Sequence, residues 1–245
     1  EESIDIAVRP HGLTRRSSRL VVLDVDSTLI RNEVIELLAE EAGHREEVAR
    51  LTDLAMSGDL DYSEALKERV ALLQGTNTAA IDRAIDRMIL TPGARTFVRT
   101  LRRLGYRIAI ISGGFTHFTD KLAEELKLDH AHANRLEIID GVITGRIEGE
   151  IVDAQTKAKL LEKIAEAEGV PLEQTVAVGD GANDLPMLQK AGLGIAFNAK
   201  PILRGAADTA VNVPYLDAIL FMLGVTREEV EAADAFDPSG DLRSA

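Results

Sequence analysis

The sequence predicts an α/β fold, a doubly wound parallel sheet with a bundle of helices inserted near its start. Three observations carry this. Short, almost wholly apolar runs recur at 20–23, 108–111, 175–178 and 193–197, the pattern of strands buried on both faces. Between the later runs lie stretches with helical spacing, the alternation of a parallel sheet covered by helices on both sides. From Glu33 to Met88 that rhythm stops, and helical patterns follow one another without a strand.

Residues 4–8 alternate like a half-buried strand, and 9–19 are basic and polar, so 1–18 is expected to be the remnant of a preceding domain and its linker. The run at 20–23 ends in Asp24. Helical spacing then marks 33–38, 48–56, 62–73 and 81–88, a small bundle occupying 32–89. After Pro92-Gly93 come a helix to Leu104, Gly105 as its stop, the strand at 108–111 and a helix at 116–126. Residues 135–151 alternate around Asp140-Gly141, a dipeptide suited to a hairpin turn, and imply a small antiparallel excursion. A helix over 157–168 and the strands at 175–178 and 193–197 complete a core of 19–31 and 90–225. The acidic tail, 226–245, is expected to fray from Glu228 on.

The chain has 245 residues, 45% of them hydrophobic, enough for one large domain with an insertion. Acidic side chains outnumber basic ones 41 to 28, for a formal charge of -13. That sign disfavours nucleic acid and membrane surfaces as partners. Handling an anionic small molecule would then require local positive potential from a metal, a few basic side chains or helix N-termini. There is no cysteine, which fits a reducing cytosol. The polar opening Glu1-Glu2-Ser3 and the lack of a run of about 18 apolar residues point to a cytoplasmic protein.

In open α/β sheets ligands bind beyond the carboxyl ends of the strands, so the residues following each apolar run are the informative ones. Asp24-Val25-Asp26-Ser27-Thr28 places two acids directly after the first run. One carboxylate is a competent nucleophile towards phosphorus, and the second can protonate a leaving oxygen and then activate water. Ser112-Gly113-Gly114 offers a hydroxyl and exposed N–H groups ahead of a helix, suited to phosphate oxygens. Lys157 opens a helix and can neutralise phosphate as a point charge. Gly179-Asp180-Gly181-Ala182-Asn183-Asp184 adds acids at another strand end, and magnesium takes only one or two protein carboxylates, a demand that Asp24 and Asp180 meet. Taken singly, these motifs equally fit an acidic loop, a plain turn, a solvated lysine and a structural or calcium-type loop.

Together and in this order, they resemble the haloacid dehalogenase superfamily. Within it, the wording of residues 24–36, the helical insertion and residues 175–200 look like the phosphoserine phosphatases, and the resemblance covers about 20–224. It implies that Asp24 attacks phosphorus and that Asp26 acts as general acid and then base. Magnesium would be held by Asp24, Asp180 and the backbone carbonyl of Asp26, with Asp184 as an orienting acid beside it. Ser112, Gly113 and Lys157 would bind the phosphoryl oxygens, and Asn183 would help position the substrate. The insertion would act as a cap, with Glu33 and Arg69 receiving the ammonium and carboxylate of phosphoserine. Met56 and Tyr62 would close over it, although relatives often carry Phe where Tyr62 stands. The implied activity is hydrolysis of O-phospho-L-serine, the last step of serine biosynthesis, by an enzyme able to form a homodimer. The alternatives are a phosphatase or phosphotransferase of the same superfamily acting on another small phosphate monoester, and a binding module without activity. Longer relatives carry an amino-acid-binding regulatory domain, whose last strand residues 4–8 resemble.

Overall fold

The computed structural model describes residues 19–57, 61–199 and 201–235. The strand expected at 4–8 lies outside these residues. Seven strands form one sheet: β1 (Leu20–Leu23), β2 (Arg107–Phe115), β3 (His130–Ile139), β4 (Val142–Glu148), β5 (Thr175–Gly179), β6 (Leu193–Phe197) and β7 (Thr209–Val211). Their order across the sheet is β4-β3-β2-β1-β5-β6-β7, with every neighbouring pair parallel except β3 and β4. From β1 the chain builds outward in one direction and later in the other, so β1 and its neighbours flank the point where a doubly wound sheet opens a crevice.

Alternation within each strand divides the core. Val21, Leu23, Ile108, Ile110, Val176 and Val178 face one side, where they pack with α5 (Ala94–Arg103) and α6 (Thr116–Leu126). Leu20, Val22, Ala109, Ile111 and Ala177 face the other, against α7 (Ala154–Ala167) and α8 (Leu185–Lys190). Both faces are covered, which is why these strands read as continuous apolar runs.

Four helices lie between β1 and α5: α1 (Val34–Ala42), α2 (Arg45–Ser57), α3 (Tyr62–Ala71) and α4 (Ala79–Asp86). A short neck ties both ends of this insertion together. The Arg31 N–H donates to the Ile89 carbonyl at 2.8 Å, the Thr91 N–H to that of Leu29 at 3.0 Å, and the Thr91 hydroxyl to that of Thr28 at 2.7 Å. A second seam joins the turn after α3 to the β3–β4 hairpin, where Gly75 and Ile143, then Thr78 and Gly141, are bonded through their backbones. Asp140 and Gly141 both adopt positive φ in that hairpin, as the dipeptide led one to expect.

Two expectations need correction. The strand expected at 108–111 runs on to Phe115, with Ser112-Gly113-Gly114 as its bulged continuation: pairing with β3 lapses after Ile111 and resumes at Phe115. The segment from Glu228 to Ala235, expected to fray, belongs to α11 (Arg227–Ala235); Ala233 is buried there, and Asp234 pairs with Arg99 of α5. A small residue at a packed position outweighs the acidic composition. Short helices α9 (Pro201–Arg204) and α10 (Ala218–Met222) complete the described chain, in which no helix is long and apolar enough to cross a membrane.

Phe97 of α5 is fully buried in the larger core cluster. Phe97→Ala is expected to lower stability by about 3–5 kcal/mol in urea titrations; a loss below about 1 kcal/mol would show that α5 does not anchor that face.

Candidate active site

Register brings the motifs together. Leu23 lies level with Ile110 of β2 and Val178 of β5, so Asp24 and Asp180, just past the ends of β1 and β5, emerge beside Ser112 at the bulge of β2. The Asp24 N–H extends the ladder by donating to the Val178 carbonyl at 2.9 Å. Residues 25–29 then form one wide turn, closed by the Ile30 N–H on the Val25 carbonyl at 3.0 Å. Ser27 takes the left-handed conformation within it (φ 57°), uncommon for a residue with a Cβ, and its hydroxyl donates to Glu33 Oε1 at 2.8 Å.

Asp26 turns away from Asp24. Its Oδ1 accepts the N–H of Val34, the first residue of α1, at 2.9 Å, which ties this acid to a helix N-terminus. Its Oδ2 accepts the Ser112 hydroxyl at 3.3 Å. Burial first, and the nearby Glu33 carboxylate second, push the Asp26 carboxyl up to about 7.

Lys157 is the centre of charge. It occupies a core-facing position of α7, in step with Leu161, Ile164 and Ala165, and is 1% exposed. Its Nζ donates to Asp24 Oδ1 at 2.5 Å and to Asp184 Oδ1 at 2.7 Å. Burial alone would discharge the ammonium, but the carboxylates of Asp184 and Asp24 hold its pKa above the ordinary lysine value. Asp184 is wholly buried, and its Oδ2 accepts the Gly181 N–H at 3.1 Å. A Cβ on Gly179 would meet the Asp184 side chain at 2.4 Å, so the glycine is what lets this acid fold under the strand end. Asn183 folds back on Gly181, where a Cβ would meet its Oδ1 at 2.2 Å, and no hydrogen bond of its side chain is described.

The insertion supplies the roof. Arg69 is buried, donating from Nε to the Ala65 carbonyl and from a terminal nitrogen to Thr52 Oγ1, each at 3.2 Å. Burial holds its guanidinium below the usual value. Among the described residues it forms no salt bridge, and Glu33 accepts the Ser27 hydroxyl, so the two opposite charges act on one another without direct contact. Burial also raises the Glu33 carboxyl. Tyr62, the first residue of α3, reaches down to the β2 bulge: a Cβ on Gly113 would stand 2.1 Å from its hydroxyl oxygen. Burial raises that phenol to about 12. Met56 lies in α2, but its side chain is outside the described residues.

Sequence reasoning overlooked two residues here. Asn134 of β3 donates from Nδ2 to the Gly113 carbonyl and accepts the Val152 N–H, both at 2.8 Å. A polar amide inside a strand run was the available signal. Thr28, quoted in the first motif without a role, donates to Asp180 Oδ1 at 3.4 Å.

Residues 21–189 match the family model of the haloacid dehalogenase-like hydrolases. The chain belongs to that family. It is 61% identical, over 97% of its length, to the phosphoserine phosphatase of Streptomyces coelicolor. It is 56% identical, over 97% of its length, to phosphoserine phosphatase SerB2 of Mycobacterium tuberculosis. The chain spans 58% of the length of each of these relatives. A solved phosphoserine phosphatase carrying a phospho-aspartyl intermediate analogue is similar at 45% identity and a TM-score of 0.80, over 86% of this chain and 100% of that one.

The acid cluster of this chain fits a metal ion. One carboxylate oxygen from each of Asp24, Asp180 and Asp184 lies within 4.8 Å of the others, and Lys157 is the cation bonded into the group. Burial and the neighbouring acids, Asp184 foremost, push Asp180 up to about 7 and raise Asp24 well above its usual value, although Lys157 opposes the rise at Asp24. Crowded hard-oxygen donors short of positive charge suit a divalent cation.

Two outcomes are expected. Millimolar magnesium raises the melting temperature, by the equivalent of about 2.7 kcal/mol at a hundredfold excess over its dissociation constant, and Asp180→Asn removes most of that rise; an unchanged rise would exclude Asp180 as a ligand. Gly113→Ala abolishes most activity beside Tyr62 and regains part of it when combined with Tyr62→Phe, because the nearest remaining ring carbon lies at 3.4 Å; equal losses with and without the hydroxyl would refute the clash.

Proposed function

We propose that this chain is a magnesium-dependent phosphatase hydrolysing O-phospho-L-serine to L-serine and phosphate through a phosphoryl group carried on Asp24. The single observation behind it is the Lys157 bridge from Asp24 to Asp184 beneath a roof bearing Glu33 and Arg69. It sets a fixed carboxylate and a buried cation at the base, and opposite charges above. Phosphoserine carries a matching set: a phosphate to meet the base, an ammonium for Glu33 and a carboxylate for Arg69. The similarity to two curated phosphoserine phosphatases supports the same substrate.

An Asp24 carboxylate oxygen attacks phosphorus as the bond to the serine oxygen breaks, and Asp26 delivers the proton that oxygen needs. Water then attacks the phosphoryl group, its proton passes to Asp26, and the bond to Asp24 breaks to release phosphate. Held by Val34 and Ser112, Asp26 remains beside Asp24 without bonding to it, as this exchange requires. Lys157 keeps Asp24 oriented and offsets negative charge gathering on the phosphoryl oxygens. Asp24, Asp180 and the backbone carbonyl of Asp26 would hold magnesium, with Asp184 beside them as an orienting acid, and the ion supplies further charge neutralisation when bound. Residues 32–89 act as the cap that admits the substrate and excludes water, with Tyr62 seated on Gly113 when closed.

Phosphate release should be fastest from L-phosphoserine within a panel of phosphate monoesters, depend on magnesium, and fall by about 10³-fold or more in Asp24→Asn. Arg69→Ala should raise KM for phosphoserine by about tenfold or more while sparing simple esters. Preference for another ester would overturn the roles of Glu33 and Arg69, and full activity in Asp24→Asn would overturn the chemistry.

A further inference from the structure

The β2 bulge contains two adjacent glycines, so its shape has to be imposed from outside. Pairing between β2 and β3 runs from Ile111 opposite His132 to Phe115 opposite Asn134, four steps on one strand against two on the other. Ser112-Gly113-Gly114 thus stand opposite the single residue Ala133, and Asn134 lies where the pairing resumes. Its amide nitrogen holds the Gly113 carbonyl at 2.8 Å. At the other end of the same planar peptide, the Gly114 N–H donates to Ser112 Oγ at 2.7 Å, and that hydroxyl donates to Asp26. The peptide is therefore gripped at its oxygen and at its hydrogen.

The amide oxygen of Asn134 reaches the opposite way, accepting the Val152 N–H at 2.8 Å. Asp153, the next residue, caps α7 by accepting the Thr156 N–H at 2.8 Å, one turn before Lys157. One buried amide, 1% exposed, thus joins the Ser112–Gly114 segment to the root of the helix that carries the lysine.

We propose that Asn134 is a positioning residue: its side-chain amide fixes the Gly113–Gly114 peptide and the start of α7 relative to one another, so that Ser112, the bulge and Lys157 converge on a single phosphoryl group. This rests on the reading of the site as one for phosphate monoesters. Recognition of a tetrahedral anion by donors from separate segments depends on their spacing, and a displacement of about 1 Å can cost roughly 10²-fold in rate. Without the Asn134 donor, the glycine peptide is held only at its N–H, by the Ser112 hydroxyl that itself donates to Asp26, and its oxygen is released.

Asn134→Asp keeps the side-chain volume and the acceptor for Val152 but cannot donate to Gly113 when ionised; Asn134→Ala loses both bonds. For each full-length variant, the melting temperature, kcat and KM for a monoester that the wild type hydrolyses, and the inhibition constants of inorganic phosphate and of L-serine would be measured. The expected result is a rise of about tenfold or more in the phosphate constant, with a comparable fall in kcat/KM, while the L-serine constant stays within about twofold. A phosphate constant that does not move, or that moves together with the L-serine constant and the melting temperature, overturns the proposal and leaves Asn134 a purely structural residue. If Asn134→Ala does not fold, Asn134→Asp decides on the same readouts. Should L-serine fail to inhibit the wild type, that result counts against the phosphoserine reading, and the phosphate constant alone still decides the role of Asn134.

Discussion

The structure turns on one buried ammonium. Lys157 bonds to Asp24 after β1 and to Asp184 after β5, from a position on α7 that would otherwise carry an apolar side chain. Removing one member of such a buried group strands the others as unpaired charges, typically at about 3–5 kcal/mol. Three elements distant in sequence are therefore obliged to meet within a few ångströms. Gly179 makes the meeting possible, since any side chain there would occupy the space of Asp184.

On the proposed reading, the same arrangement is what lets a chain with a formal charge of -13 receive a phosphate ester. Positive potential is local and buried, at Lys157 and Arg69, with Asp24, Asp180 and Asp184 grouped closely enough to suit a divalent cation. Burial makes each of these charges more effective than it would be at the surface and more costly to leave unpaired. The turn of residues 25–29 separates the two acids of the first motif, directing one towards Lys157 and the other towards α1 and Ser112. Environment, not residue type, distinguishes their tasks.

Much of this was legible in the sequence. Strands buried on both faces leave apolar runs that need no context, and the residues after the runs at 20–23, 108–111 and 175–178 stand out because ligands of open sheets bind beyond the carboxyl ends of the strands. Lys157 could have been placed independently of any resemblance, because it falls in step with Leu161 and Ile164 on the apolar face of its helix. Other features depend on contacts that no local pattern encodes. The bulge at Ser112-Gly113-Gly114 is defined by its pairing with β3, and two glycines suggest a turn as readily as an interrupted strand. Asn134 acts across the sheet, and α11 is held by packing on α5 despite its acidic composition. Tyr62 was recognised as a departure from Phe, but only the fold shows its hydroxyl against the Cα of Gly113.

The central claim is that phosphoryl transfer passes through Asp24, and covalent trapping tests it most directly. The protein would be mixed with L-phosphoserine and magnesium, quenched in acid during turnover, and digested for mapping by mass spectrometry. The expected result is one added phosphoryl group on the peptide containing Asp24, labile to hydroxylamine and absent from Asp24→Asn. Turnover with no phosphoryl group on that peptide at any quench time, or with one on a different residue, would contradict the account.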